Sequence, residues 1–410
     1  MYKSITSLIM ASLMLFSALC FGGCGSQTTI NEVTGAAGIS LDETSAPLET
    51  VLPTTAAPVE INIMMIGDML IHEGVYGSGL MADGTYNFDH LFTNIADDIK
   101  ACDIKILNQE TILGGTELGL SAYPCFNSPQ ELGDTEVKYG FNVICSASNH
   151  SLDKGLNGLN KSIEYWKTSH PKVAVLGVNQ TEEEYNNIYV YEKNGFKVAI
   201  LNYTYGTNGI PMPSSNPYAV NLLDTDKITK DVTKAKAMAD MVVVCPHWGT
   251  ENYLKVSSAQ KEWTDLFLKL GVDVVIGTHP HVIEPVEVLT GEDGHQMLVF
   301  YSLGNFVSNQ NMKEEMIGGL ANVTLVKDGS NCYVKEYTMT PVVTQLLYGR
   351  SQITTYKLKD YTESLASSSA IKRCEGCSDF SLSYCISLCS SVLGEKFNTE
   401  TCTLHEVLKQ

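Results

Sequence analysis

The fold of this chain is decided by residues 274–306, which read VVIGTHPHVIEPVEVLTGEDGHQMLVFYSLGNF. An apolar run up to Ile276 predicts a buried strand, and His279 and His281 follow it closely. Pro280 lies between them and has no backbone N–H, so the predicted strand ends here. Residues two apart in an extended chain point to one side, and two neutral imidazoles side by side suit a metal ion. A pair of ordinary surface histidines is the alternative.

Apolar segments of strand type alternate with segments of helical periodicity from residue 59 to about residue 345. The pattern predicts strands at residues 59–66, 103–107, 141–145, 196–203, 240–245 and 272–276, and helices at residues 88–102, 131–139, 156–166, 225–239 and 258–270. This alternation predicts an α/β fold. Because open α/β sheets place their ligand sites at the ends of strands, the residues at those ends are the candidate site.

Polar side chains with metal-binding chemistry stand where successive predicted strands end. They are Asp68, His72, Glu110, Asn149, His150, His247, His279 and His281. Five of the nine histidines lie at these ends, which random placement along the chain does not explain. Mixed imidazole, carboxylate and amide donors suit Mn, Zn or Fe better than Ca or Mg. The sequence therefore predicts one or two divalent transition-metal ions.

Each candidate residue has an expected role. A carboxylate bridges the ions of two-metal hydrolases, and Glu110 is suitably placed in the order of the chain. His150 is the candidate acid that protonates the leaving group without binding metal. Glu251 is expected to orient His247 or to contact substrate. The loop 206–217, rich in Pro, Gly, Ser and Asn, is either a lid over the site or a plain surface excursion.

The start of the chain has the features of an export signal. Lys3 is followed by an apolar run to Phe21, and then by Gly22, Gly23 and Cys24. This segment resembles a bacterial lipoprotein signal, which implies cleavage after residue 23 and a lipid on Cys24. A secretory peptide cleaved nearby and an uncleaved anchor are the alternatives, and all three place the body outside the cytoplasm. Residues 24–58 are rich in Thr, Ser, Ala and Pro and predict a flexible tether.

Charge restricts the partners. The chain carries 27 Lys and Arg against 46 Asp and Glu, a net charge of −19. Removal of residues 1–23 takes away one lysine and no carboxylate, so the charge becomes −20. Such a body is unsuited to nucleic acid, whose phosphates are bound by Lys and Arg. It also needs a lipid anchor to stay at an anionic membrane.

The segment 346–410 differs from the body and predicts a Cys-rich C-terminal extension after a main domain at 59–345. Its cysteines are Cys374, Cys377, Cys385, Cys389 and Cys402. Their spacing matches no usual metal site, so disulfides or free buried thiols are favoured over a zinc knuckle. Residues 382–393 are expected to form a helix that packs on the body.

Several blocks in fixed order resemble the CapA family of bacterial poly-γ-glutamate capsule proteins. The blocks are GDMLIH (67–72), LNQET (107–111), SASNHSLDKG (146–155), PHWGTE (246–251), GTHPHVIEPVEV (277–288) and FYSLGNFV (300–307). Together they span about residues 60–310. The resemblance implies a role in poly-γ-glutamate synthesis, export or anchoring at the extracytoplasmic face of the cell membrane. The implied partners are that polymer or a related polyanion, and capsule-synthesis membrane proteins.

A looser resemblance is to calcineurin-like metallophosphoesterases. It implies a layered α-β-β-α sandwich of mixed β-sheets flanked by helices, with the metal ligands Asp68, His72, Glu110, Asn149, His247, His279 and His281. Two positions depart from the pattern of that family. Leu70 stands where the first motif has a histidine, with His72 displaced, and Glu110 replaces the usual aspartate. Three functions stay open: a metal-dependent hydrolase of a phosphoester or γ-linked amide in capsule biosynthesis, a non-catalytic polymer-binding scaffold, and a cell-surface phosphoesterase.

Overall fold

The computed structural model of the protein describes residues 57–347 and 352–408. The predicted signal segment 1–23, Cys24 and nearly all of the predicted tether lie outside these residues. The strands are β1 Val59–Met69, β2 Ile104–Asn108, β3 Val143–Cys145, β4 Ala174–Leu176, β5 Tyr189–Lys193, β6 Phe196–Thr204, β7 Met241–His247, β8 Val274–Ile276, β9 Val286–Thr290, β10 Gln296–Phe300, β11 Asn305–Val307, β12 Ile317–Asp328, β13 Asn331–Leu346, β14 Ile353–Lys357, β15 Phe397–Asn398 and β16 Thr403–Val407. The α-helices are α1 Glu73–Ser78, α2 Asp89–Phe92, α3 Ala96–Lys100, α4 Glu131–Tyr139, α5 Gly155–Ser169, α6 Glu182–Tyr185, α7 Thr225–Met238, α8 Ser258–Leu270, α9 Glu363–Ser368 and α10 Leu382–Leu393.

The strands form two mixed sheets. The first has the order β15-β16-β13-β12-β1-β2-β3-β4, with β11 also paired to β1 and β14 to β13. Strands β1 to β4 are parallel, whereas β12 runs antiparallel to β1. The second sheet has the order β5-β6-β7-β8-β10-β9. Its four central strands are parallel, and the edge strands β5 and β9 are antiparallel to their neighbours. The parallel strands of each sheet deliver their carboxyl ends to one edge, where the candidate residues lie.

Side chains that alternate along the strands of the second sheet pack into two different cores. In β7, Val243 and Cys245 belong to the core that both sheets share, whereas Val242 and Val244 belong to a second core under α7 and α8. Side chains two apart in a strand point to one face, so a continuous apolar strand is covered on both sides. Helices α2 to α5 add Phe92, Ile99, Leu132 and Trp166 to the shared core. The predicted layered sandwich of mixed sheets and flanking helices is confirmed.

The ends of α8 are fixed by side-chain and glycine caps that also fix the loop before it. The Ser257 hydroxyl accepts from the backbone N–H of Gln260, and the Gln260 side chain accepts in return from the backbone N–H of Ser257. This reciprocal capping box satisfies two donors at the helix start. Gly271 ends the helix with a left-handed φ of 74°. The loop from β7 to α8, which carries Glu251, is therefore fixed at the point where it enters α8.

The C-terminal residues join the first sheet. Strands β14 and β16 both pair antiparallel with β13, and α10 places Cys385 and Cys389 in the shared core. Helix α10 covers the predicted residues 382–393. The ten cysteines of the described part of the chain are free thiols, which agrees with the second of the two favoured alternatives. Within residues 57–347 and 352–408, each helix is too short or too polar to cross a bilayer.

Candidate metal centre

Asp68 reaches the site because two glycines let β1 and β11 approach closely. A Cβ atom on Gly67 would lie 2.0 Å from the carbonyl oxygen of Gly304, a distance that real Cβ atoms do not show. The Asp68 N–H donates to that same oxygen at 2.9 Å. Its carboxylate is fully buried and accepts from the Asn108 side chain at 2.8 Å. Strand β1 thus continues three residues beyond the predicted strand, and Asp68 is held in it from both sides.

His279 and His281 lie on a loop after the end of β8, where the sequence predicts that the strand ends, but the loop is strained and not extended. Their φ angles are 100° and 60°, in the positive range that side chains other than glycine rarely adopt. Such strain persists only where neighbouring contacts fix it. Here the His279 N–H donates to Asp68 Oδ2 at 3.2 Å, and His281 Nδ1 lies 3.1 Å from Asn305 Oδ1. The two rings still lie close, with centroids 5.8 Å apart.

The first group of potential ligands is formed by Glu110, His247 and His279. One donor atom from each of the three lies within 4.8 Å of the others, and all three residues are buried. Asn149 joins them, because its Oδ1 lies 2.9 Å from His247 Nε2. The other ring nitrogen of His247 lies 3.1 Å from Thr278 Oγ1, which fixes the orientation of the ring.

The second group is formed by Asp68, Glu110 and His281, again buried and within 4.8 Å of one another. His281 Nδ1 lies 3.3 Å from Asp68 Oδ2, and His281 Nε2 lies 3.7 Å from Glu110 Oε1. Glu110 belongs to both groups, and its Oε1 also lies 3.7 Å from His247 Nε2. This placement is the one expected of a carboxylate that bridges two ions.

Three polar atoms at the centre of the site have no hydrogen-bond partner among the described residues. Both carboxylate oxygens of Glu110 and the Nδ1 atom of His279 are buried without a hydrogen bond to any described residue. A buried carboxylate in that state is costly unless a cation pairs with it. Imidazole, carboxylate and amide donors converge on the same space, so the cluster suits a divalent metal ion.

The titration of the cluster supports this fit. Burial raises the pKa of Glu110, with Asp68 adding to the rise and His281 opposing it. Burial lowers the pKa of His247 and His279, and neighbouring imidazoles lower both further. Burial would also lower the pKa of His281, but Glu110 and Asp68 together raise it to about 10. A proton on His281 therefore offsets the carboxylates in the metal-free protein, and a metal ion would displace it.

His150 stands beside the ligand groups and is paired with a carboxylate. Its Nδ1 atom lies 2.8 Å from Asp153 Oδ2, and both side chains are almost completely buried. The same oxygen of Asp153 accepts from the backbone N–H of Phe126 at 2.6 Å. The Phe126 ring packs edge-on against the imidazole, with centroids 4.7 Å apart. Sequence reasoning missed Asp153 as a site residue, although its position three residues after His150 was a usable signal.

The loop 206–217 contributes a second residue that sequence reasoning missed. Asn208 accepts from the Asn149 side chain at 3.2 Å, and its own Nδ2 lies 3.5 Å from His150 Nδ1. Its φ of 50° is left-handed, which asparagine tolerates better than most residues. Just before this loop, the half-exposed Tyr205 ring lies with its centroid 4.5 Å from that of His279. The start of this loop therefore forms one wall of the site.

Two predicted site residues are placed differently from the rest. His72 belongs to none of the ligand groups found among the described residues, and its Nδ1 atom lies 3.4 Å from the backbone nitrogen of Asn309. Its ring packs edge-on against Phe126, with centroids 5.1 Å apart. Glu251 is exposed on the loop after β7, and one of its oxygens forms a third group with His279 and His281.

A family comparison decides the relationship of this chain. The sequence model described as "Bacterial capsule synthesis protein PGA_cap" matches residues 62–310. The chain belongs to this family. The match covers the strands that carry the ligand groups, and it confirms the resemblance to CapA proteins that the sequence blocks indicate.

Two curated relatives belong to bacilli. The PGA biosynthesis protein CapA of Bacillus subtilis (strain 168) is 30% identical over 204 residues, which make up 49% of this chain and 50% of that protein. The capsule biosynthesis protein CapA of Bacillus anthracis is 31% identical over 196 residues, 47% of this chain and 46% of that protein. The chain thus spans about half the length of the curated relatives it matches.

Solved structures with partial similarity include two nucleotidases. The NAD nucleotidase NadN of Haemophilus influenzae is 12% identical with a TM-score of 0.45, over 70% of this chain and 50% of that chain. A 5'-nucleotidase precursor from Thermus thermophilus is 16% identical with a TM-score of 0.42, over 70% of this chain and 54% of that chain. Both likenesses are partial and concern the fold alone.

Proposed function

We propose that this capsule-family protein is a metal-dependent hydrolase that acts in poly-γ-glutamate biosynthesis, export or anchoring. The observation that carries the proposal is the Glu110 carboxylate, which is buried without a hydrogen bond to any described residue and is shared by two groups of ligands. A scaffold has no need of a carboxylate that is costly to bury and that receives no hydrogen bond from any described residue. Mn, Zn or Fe, as one or two ions, fits the mixed donor set.

The ligand roles follow from the two groups. Glu110, Asn149, His247 and His279 would hold one ion, and Glu110, Asp68 and His281 the other. When bound, the ions polarise the scissile bond and make a water molecule acidic enough to attack it near neutral pH. The protein keeps this chemistry in a buried pocket, where electrostatic interactions are stronger than in water.

His150 is the proton donor to the leaving group in this proposal. Asp153 accepts the hydrogen on Nδ1 and stabilises the imidazolium, so that Nε2 carries the proton to be transferred. The bond that breaks is a γ-linked amide or a phosphoester, and the leaving nitrogen or oxygen receives the proton. Asn208 contacts both Asn149 and His150 and so holds the acid beside the metal ligands.

The substrate in this proposal is poly-γ-glutamate or a related anionic polymer or intermediate. The chain has a net charge of −19, so long-range attraction of a polyanion is not expected. Binding then depends on local positive charge, which the bound metal ions supply at the site itself. A surface phosphoesterase is the second candidate, because the same two groups of ligands suit the oxygens of a phosphoester.

Location is part of the proposal. A lipid on Cys24 would hold the body at the extracytoplasmic face of the cell membrane, beside capsule-synthesis membrane proteins. The experiment is to replace Cys24 by alanine and to compare the membrane and soluble fractions of the producing cells. Release of the variant, with the unchanged protein retained, supports the anchor. If the membrane fraction retains the variant and the unchanged protein equally, the proposed lipid anchor is wrong.

The experiment for function compares substrates and metals directly. Metal-free protein is supplied with Mn, Zn or no metal and is offered γ-glutamyl peptides and a panel of phosphoesters. Metal-dependent cleavage of γ-glutamyl peptides supports the proposal, whereas cleavage of phosphoesters alone supports the second candidate. His247→Ala is the inactive control. Elemental analysis that finds no transition metal, together with no cleavage of either class, would show a polymer-binding scaffold instead.

A further inference from the structure

Glu251 stands over the two histidines of the strained loop. One oxygen of its carboxylate lies within 4.8 Å of a ring nitrogen of His279 and of a ring nitrogen of His281. Those two nitrogens also lie within 4.8 Å of each other. His281 is also a member of the second ligand group, so Glu251 reaches that group as well. Unlike the two histidines, Glu251 is exposed.

The loop that carries Glu251 is tied to the histidine loop by the backbone. The Asn252 N–H donates to the Pro280 carbonyl oxygen at 2.8 Å, and the Trp248 N–H donates to that of Thr278 at 2.9 Å. Pro280 is the residue between the two histidines. Because the residues on both sides of Glu251 are anchored in this way, its side chain starts from a fixed position beside the histidines.

A buried network supports the base of this loop. Gln260 donates from its amide to the Glu284 carboxylate and accepts from the backbone N–H of Ser257 at 2.8 Å. A Cβ atom on Gly249 would lie 2.9 Å from that amide nitrogen and 3.1 Å from Pro280 Cγ. Gly249 also has a φ of 101°. Steric contacts and the backbone conformation therefore both exclude a side chain at this position. The network fixes the approach of one loop to the other.

Glu251 lies between the two ligand groups. Its carboxylate is within reach of His279, which belongs to the first group, and of His281, which belongs to the second. It would add a third negative charge to those of Asp68 and Glu110, against the four positive charges of two divalent ions.

We propose that Glu251 is a further metal ligand, which binds beside His279 and His281. The inference rests on the proposed function, because it requires that the pocket binds metal. Glu251 would then bind the ion from the exposed side of the cluster.

The test is calorimetric titration of Mn²⁺ into full-length protein stripped of metal with EDTA, with elemental analysis of the loaded protein. We expect two ions for the unchanged chain. Glu251→Gln keeps the size of the side chain but removes its charge, and should weaken one of the two sites by about tenfold or more. Glu251→Asp should retain part of that affinity. Glu262→Gln, an exposed glutamate on α8, should bind as the unchanged chain does.

The outcomes separate the inference from the function on which it rests. If Glu251→Gln binds both ions with unchanged affinity, Glu251 is not a ligand, and the proposed function stands. A loss of cleavage in that variant, with both ions retained, would assign Glu251 to substrate contact and overturn the inference. If the unchanged chain binds no Mn²⁺ or Zn²⁺, the proposed function fails and the inference fails with it.

Discussion

The Asp153 carboxylate oxygen that faces His150 Nδ1 at 2.8 Å is also the acceptor for the backbone N–H of Phe126. One atom thus fixes both the imidazole and the loop whose phenyl ring packs against that imidazole. The pair is almost completely buried, so solvent does not compete for these contacts. His150 is held in one orientation before any substrate arrives.

Asp153→Asn should slow cleavage without loss of metal. The amide cannot stabilise an imidazolium as a carboxylate does, so the proton on Nε2 becomes harder to hold. We expect kcat to fall by about 10²- to 10⁴-fold for substrates with basic leaving groups. A substrate with an acidic leaving group, such as a nitrophenol, needs little protonation and should be far less affected. Steady-state kinetics on both substrates measure the difference.

The control for this prediction is Asp265→Asn, an exposed position on α8. Equal losses on both kinds of substrate would mean that Asp153 acts through the structure of the loop and not through the proton of His150. Elemental analysis of each variant excludes loss of metal as the cause.

Thr278→Val should weaken metal binding although Thr278 touches no ion. Its hydroxyl lies 3.1 Å from His247 Nδ1 and orients the ring whose other nitrogen faces Asn149 and Glu110. Loss of a partner of this kind costs about 10- to 100-fold in metal affinity. Titration of Mn²⁺ measures the change, with Thr233→Val on the exposed face of α7 as the matched control. Unchanged affinity for Mn²⁺ would show that Thr278 does not orient His247 for metal binding.

Gly67→Ala should displace Asp68. The added methyl group would lie 2.0 Å from the Gly304 carbonyl oxygen, so β1 and β11 must separate. Overpacking of this kind costs about 1–3 kcal/mol, and metal affinity should fall with it. Gly77→Ala is the control, because nothing lies within 4 Å of a Cβ built there and the helix α1 gains from alanine. Thermal unfolding measures the stability of both variants, and titration with Mn²⁺ measures their metal affinity. Equal values for the two variants would contradict the prediction.

Glu136→Gln should make the protein less sensitive to alkaline pH. Glu136 is buried in α4, has no hydrogen bond to its carboxylate from any described residue, and burial raises its pKa to about 8. In the unfolded chain the pKa of Glu136 is near its ordinary value of about 4.5. Between about pH 4.5 and 8 the folded state therefore binds one proton more than the unfolded state. The protonated Glu136 therefore stabilises the folded state at low pH, and this stabilisation is lost as the pH rises through about 8.

The expected size of that loss is about 4–5 kcal/mol between pH 4.5 and 8, since each pKa unit corresponds to about 1.4 kcal/mol. Glutamine carries no such proton, so the free energy of unfolding of the variant should fall less over this range than that of the unchanged chain. Denaturant unfolding at pH 5 and pH 8.5 measures the difference. Glu131→Gln, a less buried position on the same helix, should show no such effect.

The parts of the site that the sequence predicts are those that follow strands. Asp68, Glu110 and His247 come where apolar runs end, and a parallel sheet brings such ends to one edge. The layered fold is predictable for the same reason, since strand and helix periods alternate. Helices α4 and α8 begin and end at the predicted residues, because their apolar periodicity is clear and a left-handed glycine follows the last residue of each.

The parts that the sequence does not predict depend on backbone geometry and on distant contacts. Positive φ angles at His279 and His281 carry no signal of their own, because such strain is imposed by neighbours such as Asp68 and Asn305. Asn208 enters the site from a loop without periodicity. The predicted helix at 88–102 divides into α2, a 3₁₀ turn and α3, where no proline or glycine marks the break.

The pairing of β12 with β1 has a practical consequence for protein production. The family match ends at residue 310, but β1 is hydrogen-bonded to β12 along residues 59–66, and β12 begins only at Ile317. A recombinant fragment trimmed to the matched boundaries would leave residues 62–66 of β1 as a bare edge of N–H and carbonyl groups. Such an edge recruits strands from other molecules. The fragment is expected in inclusion bodies, whereas a chain carried through β16 keeps that edge covered.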